Sequence, residues 1–97
     1  MFVTLLKFSD NRSEAPQFMA DHNAWIAKGF AENAFICVGS LAEQGGGAVL
    51  AHGESRQAHD ARIAEDPFVV HGIVTAETFE IDAKRTSDAL SFLKPAA

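Results

Sequence analysis

The sequence predicts a single α+β domain with the element order β-α-β-β-α-β, and three observations support this fold class. Four short segments are rich in β-branched and aromatic residues, and two longer segments repeat apolar residues with helical spacing. Glycine, asparagine and proline separate these segments and predict turns between them. The chain has 97 residues, a length that accommodates one domain.

The first strand and the first helix are the clearest elements. Residues 2–8 (FVTLLKF) predict the strand, and the helix is expected to start at an N-cap on Ser13, to tolerate Pro16 in its first turn and to run to about Glu32. The residues that share its apolar face are Phe18, His22, Trp25, Ile26, Gly29 and Phe30. Asn33 is expected to end the helix in the left-handed conformation.

A β-hairpin is predicted next. Its strands are expected at about 34–38 and 48–52, and the glycines at 45–47 predict the turn between them. Ser55 then predicts the N-cap of a second helix that ends near Glu65.

The C-terminal part begins where Asp66-Pro67-Phe68 interrupts the helical pattern, because a residue before proline avoids the α conformation. A fourth strand is predicted over about 73–81. We predict that residues 1–82 form the domain and that residues 83–97 form a tail in which a short helix can form over 87–93.

The predicted sheet has apolar side chains on both faces, whereas two helices cover only one face of a four-stranded sheet. In the first strand, alternation places Phe2, Leu6 and Phe8 on one face and Val3 and Leu5 on the other. In the second strand, it places Phe35 and Cys37 on one face and Ile36 and Val38 on the other. A large apolar face is rarely left in water. We therefore expect a homodimer that buries the uncovered face.

Charge and cysteine content exclude several classes of function. The formal net charge is −5, and apart from Lys84-Arg85 the basic residues are scattered, which argues against binding of nucleic acid or of an anionic membrane. No apolar run approaches the length of about 20 residues that spans a bilayer. The single cysteine, Cys37, allows no disulfide within the chain and favours a cytoplasmic location.

Several motifs in order resemble those of the YCII-related (YciI-like) family of the dimeric α+β barrel superfamily, over residues 2–82. The motifs that carry the resemblance are the opening strand 2–8, His22, Gly39, Gly46-Gly47, Glu54-Ser55-Arg56, Asp66-Pro67-Phe68-Val69-Val70 and Gly72. The sequence departs from the family where Ser40 replaces proline, where Asn33 replaces glycine, at His59 and His71, and in extending beyond about residue 83.

The resemblance implies a ferredoxin-like subunit with an antiparallel four-stranded sheet, which pairs with a second subunit to form a barrel. It also implies an active site that uses His22 with Asp66. One relative in the family removes chloride from a hydroxylated aromatic ring, and most relatives have no assigned substrate.

His22 and Asp66 are therefore the candidate catalytic residues. A histidine on the apolar stripe of a helix can move protons, or it can be a core residue bonded to a carbonyl group. A carboxylate is unfavourable at a helix C-terminus, so Asp66 at the end of the second helix either orients His22 or shapes a turn before proline.

Three further residues are candidates for substrate binding. Ser40 can donate a hydrogen bond to a substrate oxygen or simply belong to a turn. Phe68 and Trp25 can form the wall of an aromatic pocket or belong to the core.

We predict no metal site and no cofactor. The histidines at 52, 59 and 71 lack the spacing of a known ligand set, and the glycines at 45–47 lie between strands, unlike a phosphate loop, which opens a helix.

The resulting hypothesis is a cofactor-free enzyme of the lyase, isomerase or dehydrochlorinase type, acting on an enolisable or hydroxylated aromatic small molecule through His22 and Asp66. Two alternatives remain open from the sequence: a non-catalytic dimer that binds a small ligand, and a cofactor-free oxygenase.

Overall fold

The computed structural model describes residues 1–43 and 45–94, so Gln44 and the last three residues of the predicted tail lie outside the described residues. The elements in chain order are β1 (Phe2–Phe8), a 3₁₀ helix (Arg12–Glu14), α1 (Ala15–Ala31), β2 (Phe35–Ser40), β3 (Gly47–Ala51), α2 (Arg56–Ala64), α3 (Pro67–Val70), β4 (Val74–Glu80) and a second 3₁₀ helix (Asp88–Leu93).

The four strands form one antiparallel sheet in the order β2-β3-β1-β4. This order confirms the predicted α+β class and the ferredoxin-like topology. Thr4 lies at the centre of the sheet, opposite Val49 on one side and Thr78 on the other. The end of β1, the end of β2 and the start of β4 therefore lie at the same end of the sheet.

The helices cover one face of the sheet, and the core lies between the two layers. Phe2, Leu6 and Val49 are buried there against side chains from α1, α2 and α3. The opposite face carries Val3, paired with Leu50 and Phe79, and half of the Phe79 surface is exposed. The uncovered sheet face thus carries an apolar patch, and Lys7 and Glu77 lie on the same face.

Within residues 1–43 and 45–94, no helix combines the length and the apolar character that a membrane crossing requires.

The predicted alternation in the second strand is wrong, because a β-bulge interrupts it. The register shifts between Phe35 and Cys37, so that Phe35 pairs with Ala51 whereas Val38 pairs with Val49. An extra residue in one strand reverses the direction of the side chains that follow it. Phe35 and Val38 therefore share the helix-covered face, and Cys37 is exposed on the other face.

The helix ends agree with the sequence in most respects. The Ser55 hydroxyl accepts a hydrogen bond from the Ala58 amide and caps α2 as predicted, and Asn33 has a positive φ of 59° after α1. The prediction for Ser13 is wrong, because this residue lies within the first 3₁₀ helix and Glu14 precedes α1. Pro16 is tolerated in the first turn of α1, as expected.

A polar cluster lies buried between α2 and the sheet. The Thr4 hydroxyl lies 2.7 Å from His59 Nε2 and 2.7 Å from the Thr78 hydroxyl, and the His59 ring stacks on Phe2 with centroids 4.7 Å apart. His59 Nδ1 is buried without a hydrogen-bond partner in the described residues. Burial lowers the pKa of His59 below its ordinary value, although the nearby Asp60 and Glu54 act in the opposite direction.

This lowered pKa predicts a stability that falls on mild acidification. The imidazole of His59 titrates at about pH 6.5 in the unfolded chain and at a lower pH in the folded chain. Between these two pH values the unfolded chain therefore binds more protons than the folded chain. The contribution of His59 to the free energy of unfolding is therefore present in full above about pH 6.5 and is lost as the pH falls towards the folded pKa. Urea unfolding measured between pH 7.5 and pH 5 checks this.

The matched variants are H59N and H71N. H59N is expected to flatten the pH dependence, whereas H71N should keep it, because the His71 side chain is exposed in the folded chain. An H59N variant that keeps the wild-type slope would show that other groups cause the acid sensitivity.

Candidate functional site

A cavity of about 480 Å³ opens between α1 and the end of the sheet where β1 and β2 finish. Its floor is formed by sheet residues such as Leu6 and Val38, one wall by α1, and its rim by the turn between β2 and β3. The β2 bulge matters here, since it turns Val38 towards the helices and so into the cavity.

His22 stands on the α1 wall of this cavity. Its Nδ1 atom lies 2.7 Å from Asp66 Oδ1, and its side chain is 13% exposed. The ring is stacked on Phe68 with centroids 4.0 Å apart and an interplanar angle of 3°. An ionised carboxylate only accepts hydrogen bonds, so Nδ1 donates its proton to Asp66. Within the described chain Nε2 makes no hydrogen bond, and it is the nitrogen left for a ligand.

Asp66 is fully buried behind His22, and its position differs from the predicted one. The helix α2 ends at Ala64, and Asp66 is the N-cap of the separate short helix α3, where its Oδ1 also accepts a hydrogen bond from the Phe68 amide at 3.0 Å. A carboxylate is favourable at an N-cap. The interpretation of Asp66 as an unfavourable acid at a helix C-terminus was therefore wrong. Its second oxygen, Oδ2, is buried without a hydrogen-bond partner in the described residues.

Trp25 borders the cavity and also ties α1 to α2. Its indole Nε1 donates to the carbonyl oxygen of Arg62 at 2.9 Å, and its ring packs edge-on against Phe35. The Arg62 guanidinium bonds Glu54 and Glu32, and the hydrogen bond from Arg62 lowers the pKa of Glu54. These contacts fix α1, and with it the side chain of His22, relative to α2.

Ser40 lies on the cavity rim at the end of β2, opposite Gly47 in β3, and it is exposed. Of the five predicted site residues, His22, Trp25, Phe68 and Ser40 line the cavity, and Asp66 lies behind His22. The structure therefore brings the set together, and the Asp66 side chain accepts hydrogen bonds from two of its members, the His22 ring and the Phe68 amide.

Arg12 and Asn23 also line the cavity and were not identified from the sequence. The Arg12 guanidinium lies over the Phe8 ring, 4.5 Å from its centroid. The order of the strands could have indicated Arg12. This residue follows the first strand, and the end of that strand lies next to the turn that precedes the third strand. Its proximity to the glycines of that turn could have been inferred.

The other histidines do not converge. His59 lies between α2 and the sheet, His71 stacks on Phe18, and His52 packs edge-on against Phe92. Across residues 1–43 and 45–94, no group of three or more histidine, cysteine, aspartate or glutamate side chains is arranged to hold a metal ion.

Comparisons with known proteins show the fold. No family model matches the chain, and no curated protein matches it in sequence. Among solved structures, the chain is similar to 5-chloro-2-hydroxyhydroquinone dehydrochlorinase from Burkholderia phenoliruptrix, determined in complex with 2,5-dihydroxybenzoquinone. The TM-score is 0.70 at 15% sequence identity, over 82% of this chain and 91% of the other.

Proposed function

We propose that this chain is a cofactor-free small-molecule enzyme in which His22 moves a proton on a hydroxylated aromatic or enolisable substrate. The observation that carries the proposal is the 2.7 Å contact between His22 Nδ1 and a fully buried Asp66, on the wall of a cavity of about 480 Å³. A cavity of this size falls within the range of about 300–1,000 Å³ that is typical of small-molecule sites.

The roles of the two residues follow from their contacts. With Nδ1 donating to Asp66, neutral His22 presents the lone pair of Nε2 and can act as a general base. Asp66 is a positioning residue, because it fixes the tautomer and favours the charged imidazolium that forms on proton uptake. Among the described residues Asp66 Oδ2 has no hydrogen-bond partner, which also supports a functional role, since a buried oxygen without a partner costs stability.

The chemistry we propose is proton transfer between a ring oxygen and a ring carbon. Nε2 takes a proton from a ring hydroxyl and returns it to a ring carbon, which converts the phenol to its keto tautomer. If that carbon carries chlorine, the tautomer loses chloride and a second hydroxyl proton, so that the net change is loss of HCl and formation of a quinone. Isomerisation and dehydrochlorination therefore share their first step.

The structural neighbour supports the substrate class. It has the same fold, its name describes a dehydrochlorinase of a chlorinated hydroxyhydroquinone, and it binds 2,5-dihydroxybenzoquinone. The rings of Phe68 and His22 both line the cavity of the present chain, and aromatic lining residues suit a ligand of this kind. Membership of the YCII-related family is part of the same proposal.

The experiment is an activity screen on the full chain. Chloride release from 5-chloro-2-hydroxyhydroquinone is measured, together with incorporation of deuterium from D₂O into ring C–H positions of unchlorinated hydroxylated aromatics by NMR. Turnover or exchange above the rate without protein is expected. If these compounds bind but neither chloride release nor deuterium exchange is observed, the proposal of an enzyme is contradicted and the chain is a ligand-binding protein.

We also propose that two copies pair through the uncovered sheet face. The chain mass is 10.4 kDa, and sedimentation equilibrium is expected to give twice that mass. F79E places a charge on this face and is expected to give a monomer, because burial of an unpaired carboxylate is costly. V70E, which adds the same charge at the exposed Val70 on α3, should remain dimeric. A monomeric wild type, or equal behaviour of both variants, would contradict this interface.

A further inference from the structure

The cavity beside His22 has an unusual charge for this chain. The protein carries 13 acidic and 8 basic residues, yet within the part that the structure describes no carboxylate lines the cavity. The only ionisable side chains among those lining residues are Arg12 and His22. Although the protein is acidic, the ionisable groups that line this cavity are a guanidinium and an imidazole, and such a cavity complements a negatively charged ligand.

Arg12 is an exposed residue at the rim of the cavity. Its guanidinium lies over the Phe8 ring, 4.5 Å from the centroid, which is a cation–π distance. Gly45 also lies next to the guanidinium, and a Cβ atom at this position would come within 3.2 Å of it, so that a larger residue would crowd the arginine. No carboxylate lies within ion-pair distance of Arg12 in residues 1–43 and 45–94. The donors of Arg12 therefore remain available to a ligand.

We infer that Arg12 selects a planar aromatic or quinonoid oxyanion as the ligand of this cavity, with the ring against the aromatic walls and the negative oxygen at the guanidinium. This inference deepens the proposed function and rests on its choice of cavity. The arginine fork matches a carboxylate or a pair of neighbouring ring oxygens, and a charge-assisted hydrogen bond is stronger than a neutral one. Arg12 is thus a specificity-determining residue and takes no part in proton transfer.

The test compares a charged ligand with a neutral one of the same shape. Isothermal titration calorimetry measures binding of 4-hydroxybenzoate, 4-hydroxybenzamide and 2,5-dihydroxybenzoquinone to the wild type and to R12Q, R12K and R85Q. The benzoate carries its charge on a carboxylate and the quinone on ring oxygens, so the two anions show which oxyanion the cavity prefers. R85Q removes the same charge at an exposed position in the tail.

R12Q is expected to weaken binding of at least one of the anions by about 10- to 100-fold and to change the Kd of the amide by less than about twofold. R12K keeps the charge but loses the fork and is expected to lie between R12Q and the wild type, and R85Q should match the wild type. Thermal unfolding shows whether R12Q remains folded. Equal weakening of all three probes, an R85Q effect as large as that of R12Q, or a wild type that fails to bind either anion in preference to the amide would each overturn the inference.

Turnover assays on the wild type and R12Q, added to the binding measurements, separate this inference from the proposed function. If the wild type turns over no substrate but its preference for an anion depends on Arg12, the acid–base proposal fails and the ligand class stands. If the wild type turns over a ring substrate and R12Q leaves kcat/KM unchanged, the proposed function stands and the role of Arg12 is wrong.

Discussion

The H22N variant is expected to lower kcat by at least about 100-fold on any ring substrate that the wild type turns over. General acid–base catalysis by a positioned side chain contributes roughly 10²–10⁴-fold, and asparagine has no group that takes up a proton near neutral pH. The asparagine amide can still donate a hydrogen bond to Asp66, so the buried carboxylate keeps a partner. Steady-state kinetics on the wild type and the variant measure the effect.

The control for this experiment is H71N. His71 is exposed and does not line the cavity, so its replacement should leave kcat within about twofold of the wild type. Circular dichroism and thermal unfolding establish that both variants are folded. An H22N enzyme that is folded and fully active would show that His22 is not the proton carrier, and one that unfolds would assign His22 a structural role.

The G46A variant is expected to lower the free energy of unfolding by about 3–5 kcal/mol. Gly46 has φ of 85°, a conformation that strains any residue with a side chain, and a Cβ atom there would overlap the backbone carbonyl oxygen of Leu6 in β1. Strain of this kind costs about 1–3 kcal/mol, and overpacking against atoms that cannot move aside adds a similar amount. Urea unfolding at a fixed protein concentration measures the loss.

The matched variant G53A separates backbone strain from overlap with neighbouring atoms. Gly53 also has a positive φ, of 97°, but a Cβ atom there would meet nothing within 4 Å. G53A is therefore expected to lose only about 1–2 kcal/mol, from backbone strain alone. Similar losses for the two variants would show that the turn moves away from β1 easily, and that the cavity rim is less rigid than the contacts indicate.

Much of the fold could be predicted because local patterns and global topology agree. Ser55 and Asn33 have the residue types that start and end helices, and the glycines before β3 mark its turn. The bulge after Phe35 could not be predicted, since both strand faces are apolar and a shift of one residue leaves the pattern unchanged. That shift decides that Val38 lies in the cavity and Cys37 outside it.

The site was predicted in part, for physical reasons that can be named. Adjacent helices bring His22 to Asp66, and the resemblance to a family with such a pair indicated which residues to consider. The role of Asp66 as a cap was misinterpreted because Pro67 starts a new helix, whereas the sequence shows only that the previous one stops. Arg12 was not identified from the sequence, because a single cation between two predicted elements is informative only once the residues around it are known, and none of the described residues that line its cavity is a carboxylate.

One oxygen atom, Asp66 Oδ1, receives hydrogen bonds from both the imidazole of His22 and the amide of Phe68. The bond from the Phe68 amide caps α3 and does not involve the imidazole, so Asp66 keeps a backbone contact when His22 is replaced. Replacement of His22 by a residue without a donor would nevertheless leave the buried carboxylate with one hydrogen bond fewer, at a cost in stability.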